Sequence, residues 1–458
     1  MNRSKISWKI IMNGQFEPQS FDAVGIGIGA FNLSLAALLK KTENFKYKFF
    51  DKKEEFIWHE GMLLENAKLQ VHFLKDLASC VDPSNPYTFL AYLADQDRIY
   101  QFLNRKKNIV SRHEFNSYFK WAAKRIPGLN FGEKIIDLQY NEEKFNIITE
   151  KRSLYSKHLI IGTGIQPYIP ERFSKFISND FFHNCEFKRH INKIDFTNKR
   201  VAIIGGGQSG AEIFDTLISQ KNKPAEIIWV SKRLNFQALE DNCFANEFYT
   251  PYYVNYFYNL PKDVRENKLK LQRLTSDGIT EELMDEIYNK LYELKYVSQE
   301  NLKFELIPNH NLSQVKKYGK EYFLTLLDED LKASINYAVD IVILATGYQP
   351  YVPEYLKNLF PNANNANELS INFDYSINWD HCQKNKIFIQ NGAKNTHGVA
   401  DPNLSLAAWR NAVIINSLLG KEFYKTNKDQ HILGRTLPAY GQNPFNLHIP
   451  QVLDEANP

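Results

Sequence analysis

The chain has 458 residues, 43% of them apolar and 14% aromatic, and a formal net charge of +4. Length gives a prior of roughly three domains, and the small, interspersed charge speaks against a nucleic-acid partner. Cys80, Cys185, Cys243 and Cys382 are scattered with no CxxC, which speaks against a disulfide framework, a zinc or other metal site and a redox dithiol.

In Met1–Ser20 the only apolar run, Trp8–Met12, is too short for a signal-peptide core. No window approaches the roughly 20 apolar residues of a membrane span. A soluble cytoplasmic protein without a membrane span is expected. Next, Asp22–Gly29 reads as a buried strand, Asn32–Lys40 as a helix and Tyr47–Phe50 as a strand. The turn between strand and helix is Gly25-Ile26-Gly27-Ile28-Gly29-Ala30. The first glycine lets the chain turn, the second admits a pyrophosphate, and Ala30 allows close helix–strand packing. The helix N-terminus faces the phosphates. Asp51 ends the following strand, where an acid accepts hydrogen bonds from a ribose 2′-OH.

His158–Gly164 is an apolar strand closing in Thr-Gly, with Pro167 beyond it. The βαβ order then recurs: strand Lys199–Ile204, helix Ser209–Ser219, strand Glu226–Val230. Its turn is Gly205-Gly206-Gly207-Gln208-Ser209-Gly210. At the spacing where Asp51 follows the first fingerprint, Ser231 follows the second, with Lys232 and Arg233 after it. A hydroxyl with basic neighbours suits a 2′-phosphate. One ordinary and one phosphorylated dinucleotide are implied, and FAD plus NADPH is the simplest pair.

Residues Asn235–Leu302 are aromatic (Phe248, Tyr249, Tyr252, Tyr253, Tyr256, Phe257, Tyr258) and then helical over Thr280–Leu294. They read as a substrate-domain insertion or as an aromatic oligomer surface, and the two are compatible. Asp340–Gly347 is a second strand closing in Thr346-Gly347, with Pro350 beyond. The polar stretch after about residue 424 reads as a loosely packed tail. The expected fold is α/β: two Rossmann-like dinucleotide-binding domains with a smaller, mainly helical insertion. The FAD domain spans 20–197 and 341–458, the NADPH domain 198–340, and the insertion about 235–302.

FAD beside NADPH implies hydride transfer to flavin. Without a dithiol or a cysteine cluster for an iron–sulfur partner, molecular oxygen is the expected acceptor, and one of its atoms goes to a nucleophile. The cofactor carries that chemistry, and the protein supplies orientation and water exclusion. No HExxH or GxSxG is present.

Six blocks occur in order: Gly27–Ala36, Phe56-Ile-Trp-His-Glu-Gly-Met62, Leu69-Gln-Val-His-Phe-Leu-Lys-Asp-Leu77, Asn246-Glu-Phe, Leu344-Ala-Thr-Gly-Tyr348, and Thr396-His-Gly with Asn403-Leu-Ser-Leu406. Together they resemble the N-hydroxylating monooxygenases of siderophore synthesis, the lysine and ornithine N-hydroxylase family, over about residues 20–420. The chain departs from the family at Ala30, where proline is usual. The Phe-x-Gly-x-x-x-His signature of other flavin monooxygenases is missing, and Phe182–Phe187 stands in its place.

The resemblance implies that Trp58, Met62 and Gln70 neighbour the flavin ring, with His59 in the same cofactor block and Thr346 and Gly347 near it. Gln70 and Asn246 are the catalytic candidates. Asn246 touches nicotinamide ribose and substrate, Arg112 meets NADPH, and Ser405 lies near flavin and substrate. Lys75 holds a substrate carboxylate, or else pairs structurally with Asp76 or another acid. His59 and His397 invite an acid–base reading, but the chemistry needs no strong base, and a structural reading is preferred for both. The ornithine branch usually carries Thr-Asn-Tyr-Ser where this chain has Leu274–Thr280, so Thr275 replaces an asparagine and the lysine and diamine branch fits better.

The expected reaction is N6-hydroxylation of L-lysine in siderophore biosynthesis. Putrescine, cadaverine, histamine or ornithine are the alternative primary-amine partners. A solvated loop acid is the preferred reading of Asp277, although it would suit a diamine's second ammonium. The amine must be neutral to attack, against a solution pKa near 10.4, so a dry pocket is expected. A flavin reductase or oxidase without an amine substrate, and a non-catalytic dinucleotide sensor, remain as other classes. Relatives suggest a homotetramer.

Overall fold

The computed structural model describes residues 18–298, 302–361, 363, 365, 368–426 and 431–435. The Trp8–Met12 run and most of the stretch after 424 lie outside them.

The first fingerprint closes a seven-stranded sheet. Its order is Leu129–Asn130, Tyr47–Phe50, Ser20–Ile26, Ser153–Ile161, Lys144–Thr149, Ile135–Asn141, and Ile387–Ile389 also pairs with Ser153–Ile161. The central strands run parallel and are buried, as apolar runs such as Ala23-Val24 and Leu159-Ile160-Ile161 dictate. The first strand ends at Ile26 and the helix begins at Ala30, so Gly27–Gly29 is loop. Helix Ala30–Leu39 packs against Ala407–Leu419, the last helix among the described residues. Residues from both ends of the chain therefore share one core.

The second fingerprint lies in a five-stranded parallel sheet, ordered Lys303–Ile307, Glu226–Val230, Arg200–Ile204, Ile341–Leu344, Phe181–His183. Alternate residues face opposite sides. Val201, Ile203, Ile227, Trp229, Ile341 and Ile343 pack under helix Gln208–Ser219. Ala202, Ile204, Ile228, Val230, Val342 and Leu344 pack on the antiparallel meander His310–Tyr318, Glu321–Asp328, Ser334–Val339. The meander has no counterpart in the sequence reading, because its strands are polar on their outer face.

The sheet reaches past the expected 198–340 span at both ends, taking Phe181–His183 and Ile341–Leu344. Ile341–Leu344 pairs in parallel with the buried strand Arg200–Ile204, and Phe181–His183 pairs in turn with Ile341–Leu344. The link between the sheets is a two-stranded ribbon of Ile165–Pro167 and Tyr348–Pro350, just beyond the two Thr-Gly ends. The insertion between Glu226–Val230 and Lys303–Ile307 holds helices Pro251–Tyr258, Lys262–Leu271 and Glu281–Tyr292. Part of its aromatic face is covered by the chain itself. Tyr252 stacks on His431 at 3.9 Å, and the Arg435 guanidinium lies over Tyr253, 4.8 Å from the ring centre. Among the described residues no helix is long and apolar enough to cross a membrane.

Candidate active site between the two fingerprints

Gly27 has φ +88°, and a Cβ there would sit 2.5 Å from the Gly162 oxygen. Gly25 is pressed against Phe49, whereas a Cβ on Gly29 would meet nothing within 4 Å. Gly29 caps helix Ala30–Leu39 with no side-chain bond to its first amides. Those amides are thus left for an anion. The Asp51 carboxylate accepts from Ile28 N at 2.7 Å and from Lys53 N at 2.9 Å, so it braces the loop it follows. Asn32 Nδ2 donates to Gly27 O at 2.8 Å, and its Oδ1 is buried without a partner. An open cradle, a bare helix terminus and an acid at the strand end fit an adenosine dinucleotide.

The second loop has the same construction. Gly205 has φ +138° and approaches Ala345 O; Gly210 lies tight against Gly205 O. Gly207 caps the helix, again with no side-chain bond. Gln208 accepts from Thr280 N and donates to Glu212, both at 2.9 Å, and Ser209 follows it in the first turn. The Ser231 hydroxyl is buried and accepts from Arg233 N at 3.2 Å, while Lys232 is exposed. Arg233 forms an ion pair with Asp277 at 2.7 Å. Asp277, expected as a solvated loop acid or a diamine partner, is exposed on its loop but faces the second fingerprint through this pair.

Between the loops lies the turn His59–Met62. Trp58 packs on Phe119 and on His59, with ring centres 5.5 and 4.6 Å away. Gly61 is needed because a Cβ would overlap the Cys185 carbonyl. Met62 is buried in the core of the second sheet. His59 is solvent-reachable although protein surrounds it, as in a cleft; desolvation, with Arg112 and Lys53 nearby, lowers its pKa to about 4. His397 is different: it is fully buried, with Nε2 3.1 Å from Phe373 O and Nδ1 2.9 Å from Thr396 Oγ1, so it is structural.

Arg112 opens helix Arg112–Arg125 and forks onto Glu212 at 2.8 and 2.9 Å. The side chains are 13% and 6% exposed, so this charge pair ties the first unit to the second fingerprint helix away from water. Removing one partner of such a pair strands the other charge. Glu212→Gln should therefore lower unfolding stability by about 3 kcal/mol, measured by chemical denaturation. A loss below about 1 kcal/mol, the value of a surface pair, would remove this reading.

The substrate candidates form a second cluster. Lys75 Nζ lies 6.0 Å from the centre of the Tyr249 ring, and burial lowers its pKa, with Cys80 and Asp241 opposing. No Lys75–Asp76 ion pair forms, because Asp76 accepts from Phe89 N, Ser79 N and Ala78 N. Tyr249 OH donates to Thr275 O, and Thr275 Oγ1 donates to Gln272 O at 2.8 Å. Asn246 is exposed and donates to Asp241 at 2.8 Å. Backbone bonds from Leu239 N to Ile279 O and from Glu240 N to Leu274 O hold the two loops side by side. Lys75 and Thr275, far apart in the chain, thus both meet Tyr249, while Asn246 is tied to Asp241.

Gln70 is half-buried, beside the strand-like contact of Leu69 N with Val110 O. Ser405 is buried and bonds Asn403 Oδ1 at 2.7 Å. Thr346 Oγ1 donates to Tyr168 O, and Gly347 O accepts from Tyr168 N at 2.9 Å. Tyr249, Asp241 and Glu212 were not singled out as site residues. Only Glu212 carried a signal, as an acid among Ala211, Ile213 and Phe214, which must find a partner when buried.

The model of the family L-lysine 6-monooxygenase/L-ornithine 5-monooxygenase matches residues 19–350. The chain belongs to this family. It is 36% identical to the L-lysine N6-monooxygenase of Escherichia coli over 411 residues, covering 89% of this chain and 96% of the relative. It is 33% identical to the putrescine N-hydroxylase of Acinetobacter baumannii, over 89% and 92% of the two chains. Its fold superposes on DfoA, the cadaverine monooxygenase of the desferrioxamine pathway from Erwinia amylovora, solved with FAD. That match has a TM-score of 0.84 at 27% identity, over 92% and 99% of the chains. As a member of this family, the chain is an N-hydroxylating monooxygenase.

Proposed function

We propose that this monooxygenase N6-hydroxylates L-lysine, with FAD on the Gly25 loop and NADPH on the Gly205 loop. Membership of the family makes it a flavin-dependent N-monooxygenase of siderophore biosynthesis with FAD and NADPH as cofactors. Relatives are named for lysine, putrescine, cadaverine and ornithine, so the amine itself is the open choice.

The observation that carries the choice is Lys75. It is a half-buried ammonium facing Tyr249, whose hydroxyl bonds Thr275, and it is not paired with its neighbour Asp76. A half-buried ammonium with no close ion pair among the described residues, only the more distant Cys80 and Asp241 acting on it, suits a substrate carboxylate and disfavours a diamine's second ammonium.

When bound, reduced FAD supplies oxygen-atom transfer. Lys75 holds the carboxylate at one end, which leaves the side-chain amine as the reacting end. Burial keeps that amine neutral. His59 is neutral at physiological pH because its pKa is depressed, so it adds no positive charge against the amine. Gln70 offers an amide to orient the reacting end.

The test is hydroxylamine formed from L-lysine, L-ornithine, putrescine, cadaverine and histamine at equal concentrations. L-lysine should have the highest kcat/KM, and a diamine exceeding it would overturn the choice. The pH dependence has a definite sign. Carboxylate capture needs protonated Lys75, whose pKa is lowered by burial. KM for L-lysine should therefore rise at alkaline pH, earlier than an unperturbed lysine dictates, while KM for cadaverine does not. A flat KM for L-lysine across that range would contradict the role of Lys75.

A further inference from the structure

Arg233, expected to meet a 2′-phosphate, already holds an anion of the protein's own. Its Nη2 pairs with Asp277 Oδ2 at 2.7 Å, and its Nη1 donates to the Asp277 carbonyl oxygen at 2.7 Å. The guanidinium is 12% exposed and the carboxylate 51%, so the arginine is built in while the acid stands at the rim. Directly beneath is Gly207, the residue that caps the second fingerprint helix without a side-chain bond. The nearest atoms to a Cβ placed there are Asp277 Oδ1 at 3.8 Å and Arg233 Nη2 at 3.9 Å. The carboxylate therefore sits over a bare helix N-terminus and against a guanidinium, two features that each favour an anion.

Arg233 itself is fixed. Its amide donates to Ser231 Oγ at 3.2 Å and its carbonyl accepts from Asn309 N at 2.7 Å. Asp277 is carried on the Leu274–Thr280 loop, whose next residue, Gly278, approaches the backbone of Leu239. The loop is held at the Asp277 carbonyl, at Gly278 and at Thr280, so that only the carboxylate stands at the rim.

We infer that Asp277 is an internal competitor for the cofactor's 2′-phosphate, a specificity-determining residue that keeps Arg233 aimed across Gly207 until a phosphate displaces it. The inference rests on placing NADPH at the second fingerprint. The carboxylate satisfies the guanidinium when no phosphate is present, and its displacement weakens binding of the phosphorylated cofactor by the value of the lost pair. A cofactor without the 2′-phosphate does not contest Arg233.

The test is titration of the FAD-loaded enzyme with NADP⁺ and with NAD⁺, at low and high salt. Asp277→Asn should lower the NADP⁺ Kd by about 5- to 20-fold, the usual range of a modest coupling. It should lower the NAD⁺ Kd by a clearly smaller factor, because the pyrophosphate at Gly207 is common to both cofactors and only the 2′-phosphate contests Arg233. Asp277→Ser should do the same, which separates loss of charge from a defect special to asparagine. The gain should shrink at high salt, since the acid stands at the surface. An unchanged or raised NADP⁺ Kd in both variants would overturn the inference. Arg233→Ala is the control for the site beneath it and should raise the NADP⁺ Kd at least about 10-fold, as expected for a charge-assisted contact. If Arg233→Ala leaves NADP⁺ binding unchanged, the placement of NADPH fails instead.

Discussion

Replacing Lys75 by methionine should raise KM for L-lysine on the order of 100-fold, while cadaverine binds as well as before or better. The physical basis is one-sided. A carboxylate desolvated without its ammonium loses a charge-assisted contact of about 3 kcal/mol. A diamine has no carboxylate to lose, and it gains relief from like-charge repulsion. Methionine preserves length and apolar volume against Tyr249, so packing is disturbed little. Steady-state hydroxylamine formation with both substrates measures the split. Equal losses for lysine and cadaverine would mean that Lys75 supports the pocket without touching the substrate.

The second large effect separates the cofactors. Gly27→Ala should yield a colourless protein, its FAD occupancy reduced more than about tenfold. The alanine must adopt φ +88° and place its Cβ 2.5 Å from the Gly162 oxygen. The left-handed region alone costs about 1–2 kcal/mol, and backbone cannot yield as a side chain can. Gly205→Ala would drive its Cβ into the Ala345 oxygen at φ +138°. That protein should stay yellow but bind NADP⁺ weakly and be reduced slowly by NADPH. Absorbance of the purified proteins and anaerobic reduction read both outcomes. A colourless Gly205→Ala beside a yellow Gly27→Ala would reverse the assignment.

The two loops were legible because their physics is local. Glycines at fixed spacing, an apolar strand before and a helix after each encode a bare helix terminus without help from the rest of the chain. Asp51 needed only its place at the end of a strand. The meander His310–Val339 was not legible, because strands polar on one face carry a weak pattern until the sheet they cover is known. The limits of the second sheet were misplaced for a related reason. Phe181–His183 is too short to read as a strand and exists as one only because Ile341–Leu344 lies beside it.

Periodicity and spacing alone thus determined that two dinucleotide loops are present, and that their following residues, Asp51 and Ser231 to Arg233, differ in charge. Only the tertiary structure decided which charges are already spoken for. Glu212 engages Arg112, and Asp277 engages Arg233, across separations that no local pattern encodes. It also decided that Lys75 faces Tyr249, whose hydroxyl bonds Thr275. Buried or half-buried charges must find partners or ligands, and which one each finds depends on elements that folding brings together from distant parts of the chain.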